Sequence, residues 1–171
     1  MKLWVAIFSV LLLSACAAYS GHGLKPGEDG LENVLYVMGQ PAMRWQNADG
    51  SEQLAYPRGP MGYHTYMVRT GPDGKLQQIK NVMDQESFAR IRAGMTTDEV
   101  LYILGPPFPG WTAYFKARDE LVWEWSYCDV WSEGARFDVL FDNSKGTVRS
   151  TMSQTESQMG LCGDGACTCA R

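Results

Sequence analysis

Histidine is nearly absent from this chain. There are two in 171 residues, and His22 sits in a small, polar, glycine-containing run with nothing beside it to complete a metal site. The chain also lacks any G-x-S-x-G elbow, H-E-x-x-H pair or phosphate-cradling glycine loop, so the usual signatures of nucleophilic, zinc-dependent and nucleotide-dependent catalysis are missing. No catalytic residue, metal ligand set or cofactor is expected. Basic clusters are lacking too. Without Lys2, which lies in the leader, 14 basic residues face 19 acidic ones, a formal charge of about −5 that makes nucleic acid a poor partner. Long apolar runs are missing as well, apart from residues 3–13, which are too short to span a bilayer.

That short run has a clear role. Lys2, the apolar segment and the small residues Ser14 and Ala15 read as a signal peptide over residues 1–15. Leu13-Ser14-Ala15-Cys16 looks like a bacterial lipobox, which implies cleavage before Cys16 and its acylation. Ala17 in the following position resembles the pattern of lipoproteins delivered to the outer membrane. Several acyl chains on one residue anchor firmly, because each buried methylene contributes about 0.8 kcal/mol. Residues 16–23 then form the lipidated cysteine and its tether.

The stretch 90–107, RIRAGMTTDEVLYILGPP, organises the rest. Thr96 followed by Glu99 is a capping box: the hydroxyl takes a free helix N–H while the carboxylate reaches back to the cap's own N–H. Val100, Leu101, Ile103 and Leu104 give the helix an apolar face, Gly105 suits the left-handed closing residue, and Pro106 and Pro107 forbid continuation. So short a helix needs a packing partner.

Ile91, Gly94, Met95, Thr96, Val100, Leu104, Gly105 and Pro107 together resemble the signature of the BamE (SmpA/OmlA) family of small outer-membrane lipoproteins. The resemblance covers under half of the chain. It implies an outer-membrane lipoprotein facing the periplasm, without catalytic function, that acts in β-barrel protein assembly or envelope integrity through protein contacts. The β-barrel assembly machinery is the partner it implies.

Val34 to Pro41 aligns without a gap to Val100 to Pro107, with five of eight positions identical, and Trp45 answers Trp111 at the same offset. Pro26-Gly27 answers Ala93-Gly94, Asp29 with Glu32 reads as a second capping box, and Gly39 and Pro41 repeat the stop signal. A tandem duplication is expected, with one unit over residues 24–84, another over 85–153, and a cysteine-rich tail over 154–171. In the first unit, Gln53 to Arg58 reads as an edge strand because of Pro57, and Tyr63 to Thr70 turns through Gly71-Pro72-Asp73-Gly74 into Lys75 to Met83. Leu121 to Asp129, Ala135 to Phe141 and Thr147 to Met152 read as strands of the second unit, and residues 84–92 as a helix that opens it. The fold class expected is therefore α+β, a tandem repeat of helix-helix-three-stranded antiparallel meanders set side by side, with one six-stranded surface or two separate sheets both open. That arrangement also resembles the β-lactamase-inhibitor-protein architecture, which implies an alternative function: an inhibitor- or sensor-like protein that binds a soluble envelope enzyme.

Cys128, Cys162, Cys167 and Cys169 are an even set in an oxidising compartment and are expected to form two disulfides. Cys167 and Cys169 are too close in sequence to pair, so the tail should staple back onto the sheet with Cys128 as one partner. A four-thiolate metal site would lack the usual C-x-x-C spacing. Most of the abundant aromatics belong in a core. The loop from Phe108 to Arg118 mixes aromatic and basic residues between helix and strand, and Phe108, Trp111, Tyr114 and Phe115 are the expected partner contacts. His64 reads as a half-buried structural residue. Glu120, Glu124, Asp138 and Asp142 read as a solvated acidic face.

Overall fold

The computed structural model describes residues 20–58, 62–163 and 167–169. The leader and Cys16 lie outside them. Helix α1 (Leu31–Met38) precedes strands β1 (Met43–Gln46), β2 (Glu52–Pro57), β3 (Thr65–Thr70) and β4 (Leu76–Asn81). Helices α2 (Gln85–Phe88) and α3 (Thr97–Leu104) then precede β5 (Ala113–Phe115), β6 (Glu120–Cys128), β7 (Gly134–Asp142) and β8 (Thr147–Thr155). The strands form two antiparallel sheets with orders β1-β2-β3-β4 and β5-β6-β7-β8.

This corrects the expected fold class. The chain is mostly β, with two separate four-stranded sheets and few short helices, and the tandem helix-helix-three-stranded unit is not what it builds. A single helix opens the first half, and α2 closes after four residues. The added strands β1 and β5 have only four and three residues, too few to show a period of two in sequence. Nor do the sheets merge into one surface. Buried residues of α2 and α3, including Phe88, Val100, Ile103 and Leu104, share one core with Ala55 and Met67 of the first sheet and with Phe137, Val139 and Phe141 of the second.

The layering explains the burial of β2. Its Leu54 and Tyr56 pack with Val34 and Met38 of α1 on one face, and its Ala55 belongs to the shared core on the other. Gln53 to Tyr56 are therefore all buried, and β2 is an interior strand rather than the expected edge. Pro57 is tolerated because it is the last residue of the strand, where the ladder ends.

Helix α3 follows its local signals. Thr96 accepts the Glu99 N–H while the Glu99 carboxylate accepts the Thr96 N–H at 2.7 Å, and Gly105 closes the helix at φ 72°. Glycine is required there twice over. The φ is positive and the ψ extended at −174°, a region open essentially to glycine rather than the expected left-handed helical one, and an added Cβ would lie 3.0 Å from the Thr65 methyl and 3.3 Å from Ala55. The Gln53 amide donates to the Tyr102 carbonyl at 2.5 Å, which pins the last turn of α3 to β2. Helix α1 departs from expectation at its start: Gly30 is the cap, its N–H donates to Asn33, and Asp29 instead accepts the Lys25 N–H.

Among the described residues no helix is long and apolar enough to cross a membrane.

Candidate functional site

Pro106 and Pro107 turn the chain away from α3, and a tight 3-10 turn at Pro109–Trp111 folds it over the second sheet. The Phe108 N–H donates to the Glu124 carbonyl, and the Phe108 and Trp111 rings meet edge to face at 4.5 Å. Arg136 lies over the Trp111 ring, with the guanidinium carbon 3.6 Å from the ring centroid. A buried guanidinium needs anions as well as a ring. Arg136 donates to Glu124 at 2.5 Å and to Glu156 at 2.9 Å. The Tyr63 hydroxyl, from the connection leading into β3, donates to Glu156 at 3.3 Å, so the cluster ties the two halves of the chain together. Gly134 permits that approach: a Cβ there would sit 2.6 Å from Glu156 Oε2.

The acidic face is not the solvated one expected from sequence. Asp138 is 7% exposed and lies opposite Glu124 in the β6–β7 register, and Glu120 is buried as well. Burial, then the charge and hydrogen bond of Glu124, push the Asp138 carboxyl up to about 7, with Arg136 opposing. One cation among three carboxylates leaves a deficit of positive charge, and a proton on Asp138 reduces it. Burial first, then Glu156, raises the Tyr63 phenol.

Beside this cluster a cavity of about 370 Å³ opens between the sheets. Pro57 and His64 line it from the first sheet, Pro107, Phe108 and Trp111 from the loop, and Trp125 and Ser126 from β6. Its size falls in the range of small-ligand and peptide side-chain pockets. The Trp125 indole N–H is buried and has no acceptor among the described residues. A buried donor left so costs about 1–3 kcal/mol of stability. His64 is half-buried and stacked on Tyr66 at 6.0 Å. Burial first, then Arg58, lower its pKa, which favours the neutral ring. The pocket's chemistry is that of holding an apolar body. Among the described residues no three His, Cys, Asp or Glu side chains converge as a metal site.

The structure thus brings two of the four expected contacts together, Phe108 and Trp111, and leaves the other two elsewhere. Tyr114 and Phe115, 52% and 44% exposed, lie outside the pocket on β5, where Tyr114 donates to Asp119 and Arg118 covers the Phe115 ring. The capping residues hold the frame. Gly27, Gly39 and Gly94 take positive φ, and Gly94 donates to the Val148 carbonyl at 2.8 Å. Pro41 follows α1, and Pro107 joins the pocket wall. Two disulfides form, Cys128–Cys169 and Cys162–Cys167. The first returns the tail to the β6–β7 turn, where Gly134 donates to the Cys167 carbonyl and Cys169 donates to that of Ser132. Cys16, the expected lipidation site, lies outside the described residues. Arg136, Glu156 and Tyr63 escaped the sequence reading. The one available signal was the polar alternation of Arg136 and Asp138 along an otherwise apolar strand.

No family model matches the chain, and no curated protein matches it. Among solved structures it is similar to a crystal structure of an extracellular protein containing an SCP domain from Bacillus anthracis, at 13% identity, over 80% of this chain and 45% of that one. The TM-score is 0.25, too low a likeness to carry an argument about fold or function.

Proposed function

We propose that this protein is a non-catalytic docking protein of the bacterial outer membrane. It is anchored through a lipid on Cys16, faces the periplasm, and serves outer-membrane β-barrel protein assembly. The observation that carries the docking part is the apolar cavity under Phe108 and Trp111, lined also by Pro57, Pro107 and Trp125. A partner that inserts an apolar side chain would fill it, as anchor residues do at the centres of protein interfaces. The lipobox read at residues 13–16 supplies the anchor, and the 90–107 signature supplies the assembly context. Holding the protein at a membrane surface raises its effective concentration toward membrane partners, so a modest pocket affinity suffices. No cofactor is required.

The test is a crosslinked affinity purification of the tagged, lipidated protein from solubilised outer membranes, with Phe108→Ala run beside it and partners identified by mass spectrometry. Recovery of the β-barrel assembly machinery with the native protein, reduced at least tenfold in the variant, is the expected result. Recovery of a soluble envelope enzyme would favour an inhibitor-like role and overturn this one.

A further inference from the structure

The four sheet edges are not equally protected. Edge strands β1 and β5 have only four and three residues. Edge strand β4 is engaged at Leu76, whose N–H and carbonyl bond to Asp29 and Gly27, and carries Lys80 further along. Short length, cover and lysine are the usual guards of a free edge. Edge strand β8 has nine residues and neither proline nor lysine.

Its hydrogen bonds define an opening. At one end, Val148 exchanges bonds with Gly94 and Met95, which cover the edge. At the other, the Thr155 N–H donates to the Gln158 side chain, and the Thr155 carbonyl accepts from Met159. Because Glu156 points inward to the Gly134 carbonyl and Thr155 points outward, the alternation of an antiparallel ladder sends the N–H and carbonyl groups of Thr151 and Ser153 outward as well. No described residue bonds to those four groups. A hollow of about 290 Å³ opens beside them, walled by Phe88 and Phe137 together with Thr151 and Ser153. The segment 150–155 carries no charge.

We infer that this notch receives one extended segment of a partner polypeptide, which adds as a fifth strand to β8 and places an apolar side chain in the hollow against Phe88. Backbone groups would supply the affinity, and the hollow the preference for a large apolar residue, as in other strand additions. The shoulders decide the kind of occupant. A second copy of this sheet would bring its own covered ends, 94–95 and 156–159, against those of the first, whereas a single extended segment of four or five residues fits between them. The inference is independent of the pocket under Phe108.

The test uses nitrogen-labelled full-length protein in detergent micelles and the capped pentapeptide Thr-Val-Phe-Val-Thr, followed by amide chemical shifts and hydrogen exchange. The expected result is perturbation centred on Thr151 and Ser153, with exchange at both slowed at least tenfold at saturation. Ser153→Pro, whose lost N–H is not part of the native ladder, should weaken binding at least tenfold, as should methylation of alternate peptide amides against the native protein. Phe108→Ala should leave this binding unchanged, which separates it from the pocket. Absence of shifts at those two amides up to the peptide's solubility limit, equal binding by the methylated peptide, or peptide-independent self-association through β8 would each overturn the inference.

Discussion

Helices α1 and α3 carry the same Val-Leu-Tyr run and the same glycine stop, yet they occupy different environments. Helix α1 covers the outer face of the first sheet and leaves Tyr36 90% exposed. Helix α3 lies between two sheets, and the equivalent Tyr102 stacks edge to face on Trp45 and donates to Asn47 at 3.1 Å. Gly39 has nothing within 4 Å of where a Cβ would be, whereas Gly105 is pressed against Thr65 and Ala55. The lesson is that a shared run and glycine stop end both helices alike, while the number of surfaces packed around each fixes what its residues contribute.

The sharpest break in that comparison is expected in the apolar core. Leu104→Ala should cost about 2–5 kcal/mol in urea unfolding, because it empties a fully buried site held on two sides. Next come the closing glycines. Gly39→Ala should cost about 1–3 kcal/mol from its positive-φ, extended-ψ backbone alone. Gly105→Ala should cost about 2–4 kcal/mol, because crowding against Thr65 adds to the same strain. For the tyrosines, Tyr102→Ala should cost about 2 kcal/mol through lost packing and an unpaired Asn47, and Tyr36→Ala should stay within about 0.5 kcal/mol.

The remaining effect depends on pH and tests the second sheet. The Asp138 carboxyl has a folded pKa of about 7 against an ordinary value of 3.8. Between those values the folded state holds the proton more tightly than the unfolded chain, so stability from this group falls as pH rises through the window. Asp138→Asn removes that loss. The variant should be more stable than the native protein by about 1–2 kcal/mol near pH 8, below the full shift because solvent screens part of the field, and should match it near pH 4. A variant less stable at both pH values would mean that the charged form is needed to balance Arg136.

What the sequence disclosed follows the range of the interactions involved. The α3 cap was legible because Thr96 and Glu99 are three residues apart and satisfy each other. The alternation of Phe137, Val139 and Phe141 disclosed a strand and its buried face. Sheet number was not legible, since β1 and β5 are too short for a pattern, and Pro57 looked like an edge marker only because its place at the strand's end could not be seen. The return of the tail to Cys128 was foreseen from cysteine parity and spacing. Phe108 and Trp111 were legible as aromatic residues of a contact loop, but the pocket beneath them was not. Nor were its supports, because Tyr63 to Glu156 spans 93 positions and Arg136 meets its partners only once β6, β7 and the chain after β8 are side by side.

Docking beneath the loop after α3 is tested most directly by placing a photoreactive p-benzoylphenylalanine at Phe108 in one version of the lipidated protein and at Tyr36 in another, then irradiating intact cells. Both carriers are aromatic, but one lines the cavity and the other stands in open solvent on the far helix. The account predicts a discrete adduct with a component of the β-barrel assembly machinery from Phe108 and none from Tyr36. Equal adducts from both positions, or an adduct from Tyr36 alone, would contradict it.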